Sequence, residues 1–252
     1  FTFGFNKNII LNAYFNPTVN ELTVSDGAAL KGKPVNGLYS FRFAGLNSDG
    51  EPQFYDKNGN KTLIIDQFSR DVGMLKYEGP RDPVATGGLT NSFSYKNFEF
   101  SFLVTYSYGN KIRLRPIFAY YYDDVQALDK DLVYRWQVPG DENFTTIPIV
   151  LDKEQRDRLT FNNKAPATFY NRSNIRVADG SFARLRNVTL SYNLTGNLPE
   201  KAKINGARIQ VQAQNLYLWA APRLNGQDPE AISTGVSIPA PKSVSIGIKL
   251  NF

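Results

Sequence analysis

The chain has 252 residues, 42% of them hydrophobic, a net charge of +6, and neither cysteine nor histidine. Without cysteine there are no disulfides, thiolate nucleophiles or Cys-based zinc sites; without histidine the commonest general base and metal ligand is missing, so the familiar catalytic triads are excluded. The positive charge is too diffuse for a nucleic-acid partner, since no Lys/Arg cluster of the kind a phosphate backbone demands is present, and no cofactor or metal is expected.

No run approaches the roughly 18 consecutive apolar residues of a membrane helix. A membrane strand alternates apolar and polar residues and escapes that test. Alternation is what the chain shows. Residues 1–11 predict a first strand on Phe1, Phe3, Phe5, Ile9 and Leu11, and its mid-strand start implies that the natural N-terminus lies upstream. Residues 86–96 predict a second, with Leu89, Phe93 and Tyr95 on one side. In 98–110, Phe98, Phe100, Phe102, Val104, Tyr106 and Tyr108 oppose Glu99, Ser101, Leu103, Thr105 and Ser107. In 182–194, Val188, Leu190, Tyr192 and Leu194 oppose Asn187, Thr189, Ser191 and Asn193, while Arg184 and Arg186 fall on the apolar parity and predict a bulge or emergence into water. In 207–219, Ala207, Ile209, Val211, Ala213, Tyr217 and Trp219 oppose Arg208, Gln210, Gln212 and Gln214. The last strand, 242–252, is the most regular: Val244, Ile246, Ile248, Leu250 and Phe252 against Ser245, Gly247, Lys249 and Asn251.

The connections alternate strictly between long and short. Residues 12–85, 111–181 and 220–241 are long; Lys96-Asn97 and 195–206 are short. An up-and-down sheet with this rule gathers its long loops at one end, as outer-membrane barrels do with long extracellular loops and short periplasmic turns. The C-terminus then falls on the periplasmic side. The long connections predict short helices in 124–136 and 152–159, and turns at Asp26-Gly27, Ser48-Asp49-Gly50, Asp56-Lys57-Asn58-Gly59 and Asn225-Gly226. Two of these turns superficially resemble calcium loops but lack the spaced terminal Glu of an EF-hand. Six strands fall short of the smallest closed barrels, at about eight, so the remaining wall is expected from the same polypeptide or another chain.

Several segments, in order, resemble one family. Asp179-Gly180-Ser181-Phe182-Ala183-Arg184-Leu185-Arg186-Asn187-Val188-Thr189-Leu190-Ser191-Tyr192 is similar to a signature of SusC/RagA TonB-linked transporters. So are Gln212-Ala213-Gln214-Asn215-Leu216-Tyr217, Gly226-Gln227-Asp228-Pro229-Glu230 and the ending from Pro239. Upstream, Thr86-Gly87-Gly88, Ser94-Tyr95-Lys96-Asn97-Phe98, Arg135-Trp136 and Pro139-Gly140-Asp141 also match. The resemblance implies an all-β fold: the C-terminal portion, about six antiparallel strands, of a large transmembrane barrel of about 22 strands with an N-terminal plug. Plug and TonB box are absent from this sequence. It further implies import of oligosaccharide or peptide cargo, a SusD-like lipoprotein lid, and TonB acting through the missing N-terminal region.

The candidate residues follow from this. If Ile209 and Val211 face lipid, Arg208, Gln210, Gln212 and Gln214 face the lumen, where they line a cargo path or simply a hydrated wall or plug contact. Tyr121, in the triplet Tyr120-Tyr121-Tyr122, and Trp136 pack locally, meet the lid protein or touch ligand. Val244, Ile246, Ile248, Leu250 and Phe252 resemble the signal read by the barrel-assembly machinery, besides forming the last strand. Asp123-Asp124, Asp129 and Asp131 read as solvated helix caps rather than paired catalytic carboxylates. A soluble β-sandwich carbohydrate-binding module would also alternate, but with short loops at both ends; an enzyme on a smaller barrel would need a nucleophile–base pair.

Overall fold

The computed structural model describes residues 1–24, 28–119, 128–160, 166–194, 206–233 and 238–251. In chain order its strands begin with β1 (Thr2–Phe5), β2 (Gly37–Phe41), β3 (Phe43–Leu46), β4 (Pro52–Tyr55), β5 (Lys61–Thr62), β6 (Leu75–Pro80) and β7 (Ala85–Tyr95). They continue with β8 (Phe98–Tyr108), β9 (Lys111–Arg113), β10 (Val177–Asp179), β11 (Phe182–Leu194), β12 (Gly206–Ala220) and β13 (Ser243–Asn251). The α-helices are short: α1 (Val19–Val24), α2 (Lys153–Leu159), α3 (Pro166–Asn171) and α4 (Pro229–Ser233). The chain divides into two compact units, residues 1–6, 83–110 and 179–252 in one and residues 7–82 and 111–178 in the other.

The first unit is built on a six-stranded sheet in the order β1-β7-β8-β11-β12-β13, with every neighbouring pair antiparallel. Directly opposed residues in such a ladder share a face, so the alternation of each strand becomes two continuous surfaces. On one, Phe93 opposes Phe100, Phe100 opposes Leu190, Leu190 opposes Val211, and Val211 opposes Ile246. On the other, Ser92, Ser101, Thr189, Gln212 and Ser245 form a row. Among the described residues, no position on the apolar face of the six strands is charged. Glu99, Arg184, Arg208 and Lys249 all take the polar face.

Two departures from simple alternation have local causes. The strand expected over residues 1–11 ends at Phe5: the polar run Asn6-Lys7-Asn8 interrupts the pattern, and Ile10 exchanges backbone hydrogen bonds with Gly32 and Lys33 instead. The bulge expected near Arg184 and Arg186 is present. From Leu185 to Asn187, β8 advances only from Val104 to Leu103, whereas β12 runs from Tyr217 to Gln214. Asn215 absorbs the extra length in the left-handed region, at φ 53°, a conformation Asn tolerates better than most residues. The slip turns Arg184 to the polar face and Leu185 to the apolar one.

The second unit has a core of its own. Val19, Phe41, Phe54, Ile65, Ile117, Phe118, Leu132, Phe169 and Tyr170 are all buried together. Phe41 meets Phe169 edge-on with centroids 5.2 Å apart, and Phe118 meets Tyr170 likewise at 5.4 Å, arrangements favoured by the ring quadrupole. Around them lie β2 paired with β6 and the three-stranded sheet β3-β4-β5. The helix expected at 152–159 is α2, closed by a capping box between Asp152 and Gln155. Of the helix expected over 124–136, residues 124–127 lie outside the described residues, and the described part forms one 3-10 turn, Lys130–Tyr134, capped by the Asp129 carboxylate accepting from Asp131 N at 2.9 Å. It stops there because Trp136 N turns away to Ile147 O, 2.9 Å off. Asp26, Gly27, Asp123 and Asp124 lie outside the described residues.

Candidate functional site

The polar face of the sheet carries the chemistry of the first unit. At one level Arg208 on β12 reaches diagonally across β11, donating to Glu99 Oε2 at 2.7 Å and to Ser191 Oγ at 3.0 Å. That ion pair also separates Arg208 from Lys249, its like-charged cross-strand neighbour. One level further, Gln212 Nε2 donates to Asn187 Oδ1 at 3.0 Å. Arg208 and Gln212 are therefore engaged in the wall. Gln210 is half-buried beside Ser191 and Gly247, and Gln214 is exposed beside Asn187 and Ser243.

Beyond the bulge the face becomes an ionic cluster, and here sequence reasoning missed the functional geometry. Arg184, 3% exposed, donates from Nη2 to both carboxylate oxygens of the equally buried Asp228, at 2.6 and 2.7 Å. Arg184 also lies 3.4 Å from Glu230, which pairs with Arg186. Asn215 Nδ2 donates to Pro241 O at 3.0 Å, and Glu230 N donates to Asp228 Oδ1 at 3.0 Å. Burial alone would raise the Asp228 carboxyl. The hydrogen bond from Arg184, the Glu230 and Ala240 amides and the Arg184 charge outweigh it and hold the group below the usual carboxylate range. Thus the arginines of β11, the Asn of β12 and the Asp-Pro-Glu segment opening α4 converge, although they stand far apart in the chain. The available signal was the charge complementarity of Arg184 and Arg186 with Asp228 and Glu230.

The residues expected to meet a partner fall in the second unit. Tyr121, with Tyr120 and Tyr122, lies outside the described residues. Trp136 is only 6% exposed. Its ring lies against Gly50, so close that a side chain there would collide with it, and its Nε1 donates to Glu142 Oε2 at 3.0 Å. The Trp136 donor, followed by backbone N–H groups at Glu142 and Gly140, holds the Glu142 carboxyl low. Trp136 is thus a packing residue rather than a presented one, because its indole fills the space left by a glycine at φ 75°. Tyr134, Val138 and Phe144 around it are exposed. On β13, Val244, Ile246, Ile248 and Leu250 all point from the apolar face; Phe252 lies outside the described residues. Among the described residues no group of three or more metal-ligating side chains gathers.

No family model matches the chain. It is 28% identical over 218 residues to TonB-dependent receptor P26 of Formosa agariphila, covering 81% of this chain and 20% of that protein. It is 26% identical over 228 residues to TonB-dependent receptor SusC of Bacteroides thetaiotaomicron, covering 88% of this chain and 20% of that one. The solved RagAB peptide transporter superposes with a TM-score of 0.67 at 23% identity, over 99% of this chain and 26% of that chain. The RagAB peptide importer in its open-open state gives 0.65 at 21%. The chain spans about a fifth of the length of the curated relatives it matches. Those relatives are receptors and transporters, not enzymes, and the fold is that of a barrel-wall segment.

Proposed function

We propose that this chain, a segment related to TonB-dependent receptors of the SusC kind, forms the C-terminal wall and extracellular loops of an outer-membrane importer. The observation that supports this best is the uncharged apolar face running across all six strands of the sheet. In water such a face needs a second layer; Phe93, Ile246 and Ile248 are instead well exposed. Hydrocarbon is the solvent in which that surface is stable, and β8 and β11 are paired on both sides along most of their length, the arrangement a bilayer favours. The sandwich alternative needs a second sheet over this same face.

On this reading the polar face lines the lumen. Gln210 and Gln214 offer amides to oligosaccharide or peptide cargo, while Arg208 and Gln212 brace the wall. The long connections are extracellular and the short turns and C-terminus periplasmic. Tyr134, Val138 and Phe144 carry the contact with a SusD-like lipoprotein, and TonB acts on a part of the protein outside this chain. The even positions of β13 also serve as the signal for barrel assembly. The test is a pair of neighbouring substitutions in the full receptor. Ile246→Arg places a cation on the lipid face at a cost of roughly 2–4 kcal/mol near the midplane, whereas Ser245→Arg points to the lumen. Folded receptor in outer-membrane fractions should fall for Ile246→Arg and stay near wild type for Ser245→Arg. Equal damage from both sinks the assignment of faces.

A further inference from the structure

On the apolar face, at the end of the strands that leads into the long connections, one cross-strand row alternates large and small residues. Phe3 on β1 opposes Gly87 on β7, Gly87 opposes Tyr106 on β8, Tyr106 opposes Ala183 on β11, and Ala183 opposes Trp219 on β12. Strands lie about 4.8 Å apart, so the large residues stand about 10 Å apart at the backbone with a trough over each small one. The two troughs differ. Tyr106 leans over Gly87, where a Cβ would come within 2.6 Å of its hydroxyl, and the Phe1 ring stacks on Tyr106 at 6.4 Å. That trough is closed. Trp219 is held by Tyr217, with rings 4.6 Å apart, so the trough over Ala183 stays open between the Tyr106 side and the indole. It is the centre of a mainly apolar cavity of about 570 Å³ whose lining extends to Phe3, Ala85 and Tyr108 and includes Ser107 and Ser181.

We propose that this trough is a discrete lipid site, which takes one acyl chain from the leaflet on the long-connection side. The inference rests on the reading of the apolar face as lipid-facing and goes beyond it by assigning a fixed chain at one place. Three features single out an acyl chain. The lining is mostly hydrocarbon and ring surface, with two serines and no charged residue. The cavity is broadly open on the face read as lipid-facing and lies across neighbouring strands at one end of the sheet. Tyr108 and Trp219, exposed at its rim, have polar tips suited to the headgroup level, where aromatic belts sit. A chain lying there gains contact on three sides instead of one.

The test uses the full-length receptor, extracted from outer membranes in mild detergent, with retained lipid counted by native mass spectrometry. Ala183→Phe and Ala183→Leu fill the trough. Ala213→Phe enlarges another small residue of the same face, between Val188 and Val244. Wild type and the Ala213 variant should each retain a lipid, and the lipid-bound fraction should fall about tenfold in both Ala183 variants, a loss of the size overpacking imposes. Undiminished retention in the Ala183 variants, loss in the Ala213 variant as well, or no lipid on wild type overturns the site. The lipid-facing reading fails by a different result, normal assembly of Ile246→Arg.

Discussion

Arg184 and Asp228 are each 3% exposed, and the energetics of such a pair are asymmetric: forming it gains little net, but removing one partner strands the other. Asp228→Asn should therefore destabilise the receptor, by less than the roughly 3–5 kcal/mol of a fully stranded charge because Arg184 keeps the longer contact with Glu230, and should loosen the 221–233 segment. Limited proteolysis of detergent-solubilised receptor should show early cleavage in that segment, with the barrel still heat-modifiable. The pH dependence follows from the sign of the Asp228 shift. Its folded pKa lies below the ordinary carboxylate value, so its stabilisation is complete above about pH 4 and is lost as pH falls through the folded value. The melting temperature of wild type should drop at acid pH, and the Asp228→Asn variant should lack that part of the drop; parallel curves would remove Asp228 from the account. None of this was legible from local pattern. The parity conflict at Arg184 and Arg186 announced the bulge, but the partners lie over forty residues away, and pairing across that distance is a property of the folded sheet.

Among the elements, alternation made β8, β11, β12 and β13 readable because each strand carries one apolar and one polar face, and side chains alternate between the faces of a strand. The core of the second unit obeys no period. Phe41, Phe54, Phe169 and Tyr170 come from separate short elements, and a nine-residue cluster assembled this way leaves no stripe to read. Trp136 shows the consequence. The sequence leaves its segment open to local packing, lid contact or ligand contact, and the indole is spent on Gly50 and Glu142. What the segment 128–144 presents is Phe144, 90% exposed, with Tyr134 and Val138. Exposed aromatic side chains on a rigidly packed segment are the usual anchors of a protein contact. Tyr134→Ala with Phe144→Ala should thus reduce co-purification of the lipoprotein with the receptor by about tenfold, which is 1.4 kcal/mol and modest for two anchors. Trp136→Ala, by contrast, should act by disturbing the packing of the second unit. A double variant that folds and still brings down the lipoprotein at the wild-type ratio would place the lid contact elsewhere.

For the molecule as a whole, the proposed barrel wall implies a direction across the membrane. The order β1-β7-β8-β11-β12-β13 makes each strand antiparallel to the next, so successive connections must leave the sheet at opposite ends. The connections between β1 and β7, β8 and β11, and β12 and β13 share one end; the Lys96-Asn97 turn and the β11–β12 connection share the other. The long connections hold the second unit, residues 7–82 and 111–178, which has a core of its own and on the proposed reading is extracellular. Placing it outside also puts Tyr134 and Phe144 where a lid lipoprotein can reach them. The topology is testable with single cysteines, to which this sequence adds no background. Asn58, Asn143 and Asn225 are exposed within the long connections, and Lys96 is exposed in the tight turn at φ 51°. On intact cells a membrane-impermeant maleimide should label cysteine at the first three positions and leave Lys96→Cys unlabelled until the outer membrane is permeabilised. The permeabilised sample guards against a false negative, since all four sites should then react. Labelling of Lys96→Cys on intact cells, with Asn143→Cys protected, would turn the barrel upside down and take the proposed lid contact and the leaflet of the lipid site with it.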